Sequence, residues 1–150
     1  METSAATTLT EPVGPAALRG KKLLIVDDDA EMRGWLRLGL RRFEPVIVEA
    51  ATGWECLERL TSEGPFDLIV TDVRLPKPDG LCLVASARAV GLLMPVIVIS
   101  GFGDADLRRS VAQLEDAVLL EKPFELEALV SLASALLEAR ASRATEAPKS

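Results

Sequence analysis

Short runs of apolar residues alternate along this chain with longer stretches in which apolar positions recur at helical spacing. Five runs read as strands: LLIV at 23–26, VIV at 46–48, DLIV at 67–70, VIVI at 96–99 and AVLL at 117–120. The first and fourth are apolar at every position rather than at every second one, which marks strands covered on both faces, as in a parallel sheet. Helices must supply that cover. Residues 30–43 place Met32, Trp35, Leu36 and Phe43 on one stripe and Arg33, Arg37 and Arg41 on the other side, with Asp29 as a suitable N-cap and Pro45 as the stop. Thr52 can cap a second helix reaching about Leu60, and two more, at about 81–90 and 104–114, follow Asp79-Gly80 and Gly103-Asp104. A last helix is predicted to begin at Pro123, with Leu126, Leu129, Val130, Ala133, Leu136 and Leu137 as its apolar stripe. The alternation predicts an α/β fold, a doubly wound five-stranded parallel sheet of (βα)5 type, in which ligands bind beyond the carboxyl ends of the strands.

Residues 1–20 are rich in Ala, Thr and Pro with little periodicity, and 141–150 are similar, so both are predicted as disordered tails around one domain at 21–140. No apolar run approaches the ~20 residues of a membrane span, and the start lacks the basic-then-apolar pattern of a secretion signal. A cytoplasmic location is expected. Cys56 and Cys82 lie in segments read as helices and are expected to be buried thiols, since a core of this size needs no disulfide framework. The net charge of −6 argues against direct nucleic-acid binding, which rests on a basic footprint. Histidine is absent, which removes Ser-His-Asp and Cys-His nucleophiles, histidine-ligated metals and any phosphohistidine of the chain's own. Carboxylates, lysine and hydroxyls remain.

Those groups collect at the predicted strand ends: Asp27-Asp28-Asp29 after the first strand, Thr71-Asp72 after the third, Ser100-Gly101 after the fourth and Glu121-Lys122-Pro123 after the fifth. Each has an ordinary reading by itself, as a helix cap, a turn hydroxyl or a surface charge. Local turn chemistry gives no reason for all of them to gather on one sheet edge, however, and together they read as a site. Crowded carboxylates at Asp27, Asp28 and Asp72 repel unless a cation neutralises them, which points to a hard, oxygen-liganded ion. Mg2+ is the natural candidate, because it accepts one or two carboxylates and leaves room for phosphate oxygens.

The order LLIVDDD, DLIVTDVRLPKPDG, VIVISG and EKPF, over about residues 22–138, resembles the receiver domain of response regulators in two-component signalling. The 44 residues from Asp28 to Asp72 and the 22 from Ser100 to Lys122 are spacings usual for that family. The resemblance implies a flavodoxin-like receiver fold with strand order 2-1-3-4-5. It makes Asp72 the phosphoacceptor from a phosphohistidine on a sensor histidine kinase or histidine phosphotransfer protein. Mg2+ would be held by Asp28, Asp72 and the main-chain carbonyl of Arg74, with Asp27 acting through water. Lys122, followed by a cis-bonded Pro123, would meet the phosphoryl group, and Ser100 would be the switch hydroxyl. Arg74 and Phe102 stand where the family tunes attack of water on the phosphoaspartate. Leu75 replaces the commoner Met and Gly101 the commoner Ala. Leu119 stands where an aromatic residue is usual, a departure that leaves the chemistry intact but touches the coupling of Ser100 to the helix-four, strand-five, helix-five surface.

The resemblance implies a single-domain response regulator that catalyses only its own phosphorylation and dephosphorylation, acts on a downstream protein target or in a relay, and has no membrane partner. A phosphorylation-dependent homodimer is compatible with it. The Arg33, Arg37, Arg41 row is a candidate kinase-docking edge or a plain solvated face. Three rivals stand beside this reading. A regulator carrying its own output domain is disfavoured by the short tail after the last helix. A Mg2+-dependent phosphohydrolase would turn over small phosphate esters. A degenerate receiver would bind proteins without phosphorylation.

Overall fold

The computed structural model describes residues 13–75, 79–101 and 105–146. The chain runs α1 (Val13–Leu18), β1 (Lys22–Val26), α2 (Ala30–Leu40), a 3-10 turn (Arg41–Phe43), β2 (Val46–Ala50), α3 (Gly53–Ser62), β3 (Leu68–Asp72), α4 (Gly80–Ala89), β4 (Val96–Ser100), α5 (Ala105–Ala112), β5 (Ala117–Glu121) and α6 (Leu126–Glu146). All four ladders are parallel and the strands lie in the order β2-β1-β3-β4-β5. The fold is therefore the flavodoxin-like one expected.

Side chains alternate across each strand, so the continuous apolar runs divide between two cores. Leu23, Ile25, Val70, Ile97 and Ile99 meet Leu36 and Leu40 of α2 and Leu129, Val130, Ala133 and Leu137 of α6. Leu24, Val26, Ile69, Val96 and Val98 meet Cys56 of α3, Leu83 and Val84 of α4 and Val111 of α5. All five residues of β3 and of β4 are buried, whereas the outer strands β2 and β5 are largely half-covered.

The helix starts follow from short polar side chains. Asp29 accepts from the Glu31 N–H at 2.9 Å, Thr52 from the Glu55 N–H at 3.0 Å, and Asp79 from the Cys82 N–H at 2.8 Å. Before Pro45, α2 tightens into the 3-10 turn and stops at Glu44 with φ of 63°.

The structure differs from the sequence reading at five points. Residues 13–18, assigned to the disordered N-terminal tail, form α1, which packs on α6 and buries Leu18 completely. Helix α6 starts at Leu126, three residues after Pro123, whose bond to Lys122 is cis, and it continues to Glu146, beyond the expected boundary at 140. Cys56 is buried, its thiol pushed up to about 12 by desolvation, but Cys82 is exposed. Trp35, placed on the core stripe, is 45% exposed and stands edge-on to Phe124 with ring centroids 5.9 Å apart. Phe102 and the pair Gly103-Asp104, and the tail residues 1–12 and 147–150, lie outside the described residues.

Candidate functional site

In a parallel sheet every strand ends on the same side, and the register decides which ends are neighbours. Val26 pairs with Thr71, which sets Asp27 beside Asp72; Asp72 pairs with Ile99, and Ser100 with Glu121, which sets Ser100 beside Lys122. The residues named from the sequence therefore converge. Carboxylate oxygens of Asp27, Asp28 and Asp72 all lie within 4.8 Å of one another, Asp27 and Asp72 buried and Asp28 exposed. The Lys122 ammonium stands 4.0 Å from Asp72 Oδ1. The Lys122 N–H donates to the Ser100 carbonyl at 2.7 Å, tying the fifth strand end to the fourth, and Ser100 is itself buried.

Burial is the main electrostatic influence on both inner acids. It raises the pKa of Asp27, which the Asp29 N–H lowers by donating to Oδ1 at 2.9 Å and the charge of Asp72 raises further. Burial likewise raises that of Asp72, opposed by Lys122 and by the backbone N–H groups of Arg74 and Val73. The upward direction wins at both sites, so the acids are poised to accept positive charge. A buried carboxylate pair with an exposed third acid offers hard oxygen ligands and an open side, and a divalent ion such as Mg2+ fits that donor set.

The backbone around Asp72 is tightly determined. Val73 N–H donates to the Ile99 carbonyl at 2.9 Å and Gly80 N–H to the Val73 carbonyl at 3.1 Å, folding the loop back on the strand end. A Cβ at Gly80 would lie 2.5 Å from the Asp72 carbonyl oxygen and 2.9 Å from Val73 Cα, both unyielding main-chain atoms. Gly80→Ala is therefore expected to destabilise the protein by about 1–3 kcal/mol, as read from the urea midpoint.

Two grooves flank the site. One, of about 550 Å³, is lined by Asp29, Glu31, Met32, Trp35, Lys122, Pro123 and Phe124, and opens directly beside the Lys122 ammonium. The other, of about 460 Å³, lies between α5 and β5 over half-buried Leu119, where the Arg108–Glu121 ion pair at 2.9 Å ties helix to strand. Two members of the arginine row are engaged: Arg33 and Arg37 both grip Glu49 of β2, at 2.9 and 2.6 Å, which the sequence spacing gave no means of seeing, while Arg41 is exposed. Glu49 is held below its ordinary range, chiefly by the Arg37 hydrogen bond.

A five-stranded doubly wound sheet with this acid cluster and a lysine at its carboxyl edge defines a receiver module. The family described as response regulator receiver domain matches residues 23–134, and the chain belongs to it. It is 39% identical over 126 residues to the transcriptional regulatory protein PrrA of Mycobacterium tuberculosis, covering 83% of this chain and 53% of that one. It is 32% identical over 111 residues to the response regulator receiver protein CpdR of Brucella abortus, covering 74% of this chain and 92% of that one. Among solved structures, a response regulator receiver protein from Sinorhizobium medicae superposes with a TM-score of 0.73 at 30% identity, over 82% of this chain and 98% of that one. The chain spans about half the length of the PrrA proteins it matches. No helix among the described residues is long and apolar enough to cross a membrane.

Proposed function

We propose that this receiver is a phosphorylation switch of a two-component phosphorelay, with Asp72 as the phosphoacceptor and Mg2+ as its cofactor. The observation that carries the reading is the convergence of Asp27, Asp28 and Asp72 within 4.8 Å beside the Lys122 ammonium. The donor is a phosphohistidine on a sensor histidine kinase or histidine phosphotransfer protein in the cytoplasm, since the chain has no histidine of its own. An Asp72 carboxylate oxygen attacks phosphorus, the P–N bond breaks with its electrons returning to the imidazole, and an acyl phosphate results.

Mg2+, when bound, would neutralise charge on the acids and on the phosphoryl oxygens. The chain's residues do the rest. When bound, the ion would be held by Asp28, Asp72 and the Arg74 carbonyl, with Asp27 acting through water. Backbone N–H groups of Val73 and Arg74 orient the Asp72 carboxylate. Lys122 moves from Asp72 to a phosphoryl oxygen, as a point charge suited to phosphate. The Ser100 hydroxyl turns to another oxygen, a population shift that changes the surface a downstream protein reads. The groove lined by Trp35, Lys122 and Phe124 offers the phosphodonor a place to dock.

The test is incubation with acetyl phosphate and Mg2+ followed by intact mass. One added phosphate that needs Mg2+, disappears with EDTA present during labelling, is lost in alkali and maps to the Asp72 peptide is the expected result. Absence of a Mg2+-dependent adduct would discard the switch and leave a phosphate-independent binding module.

A further inference from the structure

Asp27 lies just past the end of β1, where the ladder can no longer hold its main chain. Its N–H still reaches the Ala50 carbonyl at 3.1 Å, but its carbonyl points toward α2. There the Arg33 guanidinium donates to it from Nη1 at 2.6 Å, while Nε of the same fork donates to Glu49 Oε1 at 2.9 Å. Glu49 is the residue before Ala50, so Asp27, Arg33, Glu49 and Ala50 form a closed circuit joining β1, α2 and β2. The pair is well covered, with side-chain exposure of 18% for Arg33 and 29% for Glu49, so it is screened less than an open surface pair. Glu49 is steadied again by Arg37 at 2.6 Å, and its carbonyl by Arg59 at 3.2 Å.

We infer that Arg33 is a positioning residue for the acid cluster: by gripping the Asp27 carbonyl and Glu49 at once, it fixes the angle at which Asp27 and Asp28 face Asp72. The inference rests on the metal-binding reading of that cluster. Three acids must be held close together against their repulsion before an ion arrives, and two of them lie on the short segment that leaves β1. Asp29 caps α2 and donates its N–H to Asp27, which secures the far end of the segment. Arg33 secures its middle. The planar fork matters as much as the charge, because a single ammonium cannot span both acceptors in the same geometry. Arg37 is the internal control, sharing Glu49 with Arg33 but making no hydrogen bond to Asp27.

The experiment is Mg2+ titration of the unphosphorylated full chain by calorimetry, for wild type, Arg33→Ala, Arg33→Lys and Arg37→Ala, with the metal-free melting curve of each. Groups that orient a ligand residue typically carry about 10-fold in metal affinity, and that loss is expected for Arg33→Ala. A loss is also expected for Arg33→Lys, with Arg37→Ala like wild type. Phosphate incorporation from acetyl phosphate should fall in the Arg33 variants at low Mg2+ and recover when the ion saturates. If Arg33→Ala fails to fold, Arg33→Lys carries the same test. Wild-type affinity in folded Arg33 variants, or an equal loss in Arg37→Ala, overturns the positioning role and leaves the metal-binding reading standing. No Mg2+ binding by wild type overturns both.

Discussion

Asp72→Asn is expected to incorporate no phosphate from acetyl phosphate and, at the same time, to melt at a higher temperature than wild type when metal is absent. The first effect follows from the proposed role of Asp72 as the attacking group, and the difference should be at least about 100-fold, the scale on which removing one reacting group acts. The second follows from the electrostatics. Asp72 is buried, its pKa raised first by desolvation and further by Asp28, with Lys122 and two N–H groups only partly compensating. The amide removes the charge but keeps a carbonyl oxygen for the Val73 and Arg74 N–H groups. A gain of about 1 kcal/mol, a few degrees in melting temperature, is in scale with functional sites that give up stability for activity.

The pH dependence has a definite sign. In the unfolded chain Asp27 and Asp72 lose their protons in the ordinary carboxylate range, whereas in the folded protein both hold them to higher pH. Between those limits the folded state binds more protons, so the stability of metal-free wild type rises as pH falls through the raised values and levels off below the ordinary range. Asp72→Asn should flatten that rise. Mg2+ should raise the melting temperature of wild type at neutral pH and lose its effect on acidification, as protons compete for the same oxygens. A variant no more stable than wild type, with the same pH slope, would show that the acids are not crowded.

Leu18→Ala should cost about 2–4 kcal/mol, the usual range for truncating a fully buried leucine. Leu18 is completely covered and belongs to the core shared by β1, β3, β4, α2 and α6. Its surroundings are held from several sides, with Gly20 N–H on the Glu44 carbonyl at 2.9 Å, Lys21 N–H on the Leu18 carbonyl at 3.0 Å, and α1 seated on α6. The cavity cannot close by moving one loop. Chemical denaturation should shift its midpoint without changing its slope, and a midpoint within error of wild type would mean that α1 is a dispensable appendage.

That helix escaped the sequence reading for a physical reason. Val13–Leu18 is too short to show a helical period and contains Pro15, and the single leucine that matters is recognisable only through what covers it. The strands were legible because LLIV and VIVI have no polar position to spare, so two-sided burial was the only arrangement available to them. The site was legible for a related reason: polar residues ending apolar runs of a parallel sheet have one edge to go to, and Asp27, Asp72, Ser100 and Lys122 went there. Contacts between elements were not. Arg33, Arg37 and Glu49 meet across α2 and β2, and no pattern along the chain joins them. Cys82 was misplaced because Leu81, Cys82, Leu83 and Val84 are four consecutive apolar positions, which no helix can turn to one side, and the cysteine is the one left facing out. Trp35 lies at the margin of its stripe, where Phe124 covers only one edge of the indole.

The loop after Asp72 is stitched to β4, the strand buried along its whole length, through the Val73 N–H on the Ile99 carbonyl. Deuterium should therefore enter that one amide only when the central sheet opens, so its exchange rate would report the global unfolding free energy from a position adjacent to Asp72. Amides of the half-covered outer strands β2 and β5 would exchange on a faster clock. A receiver built this way anchors its acid cluster in the slowest-opening part of the molecule.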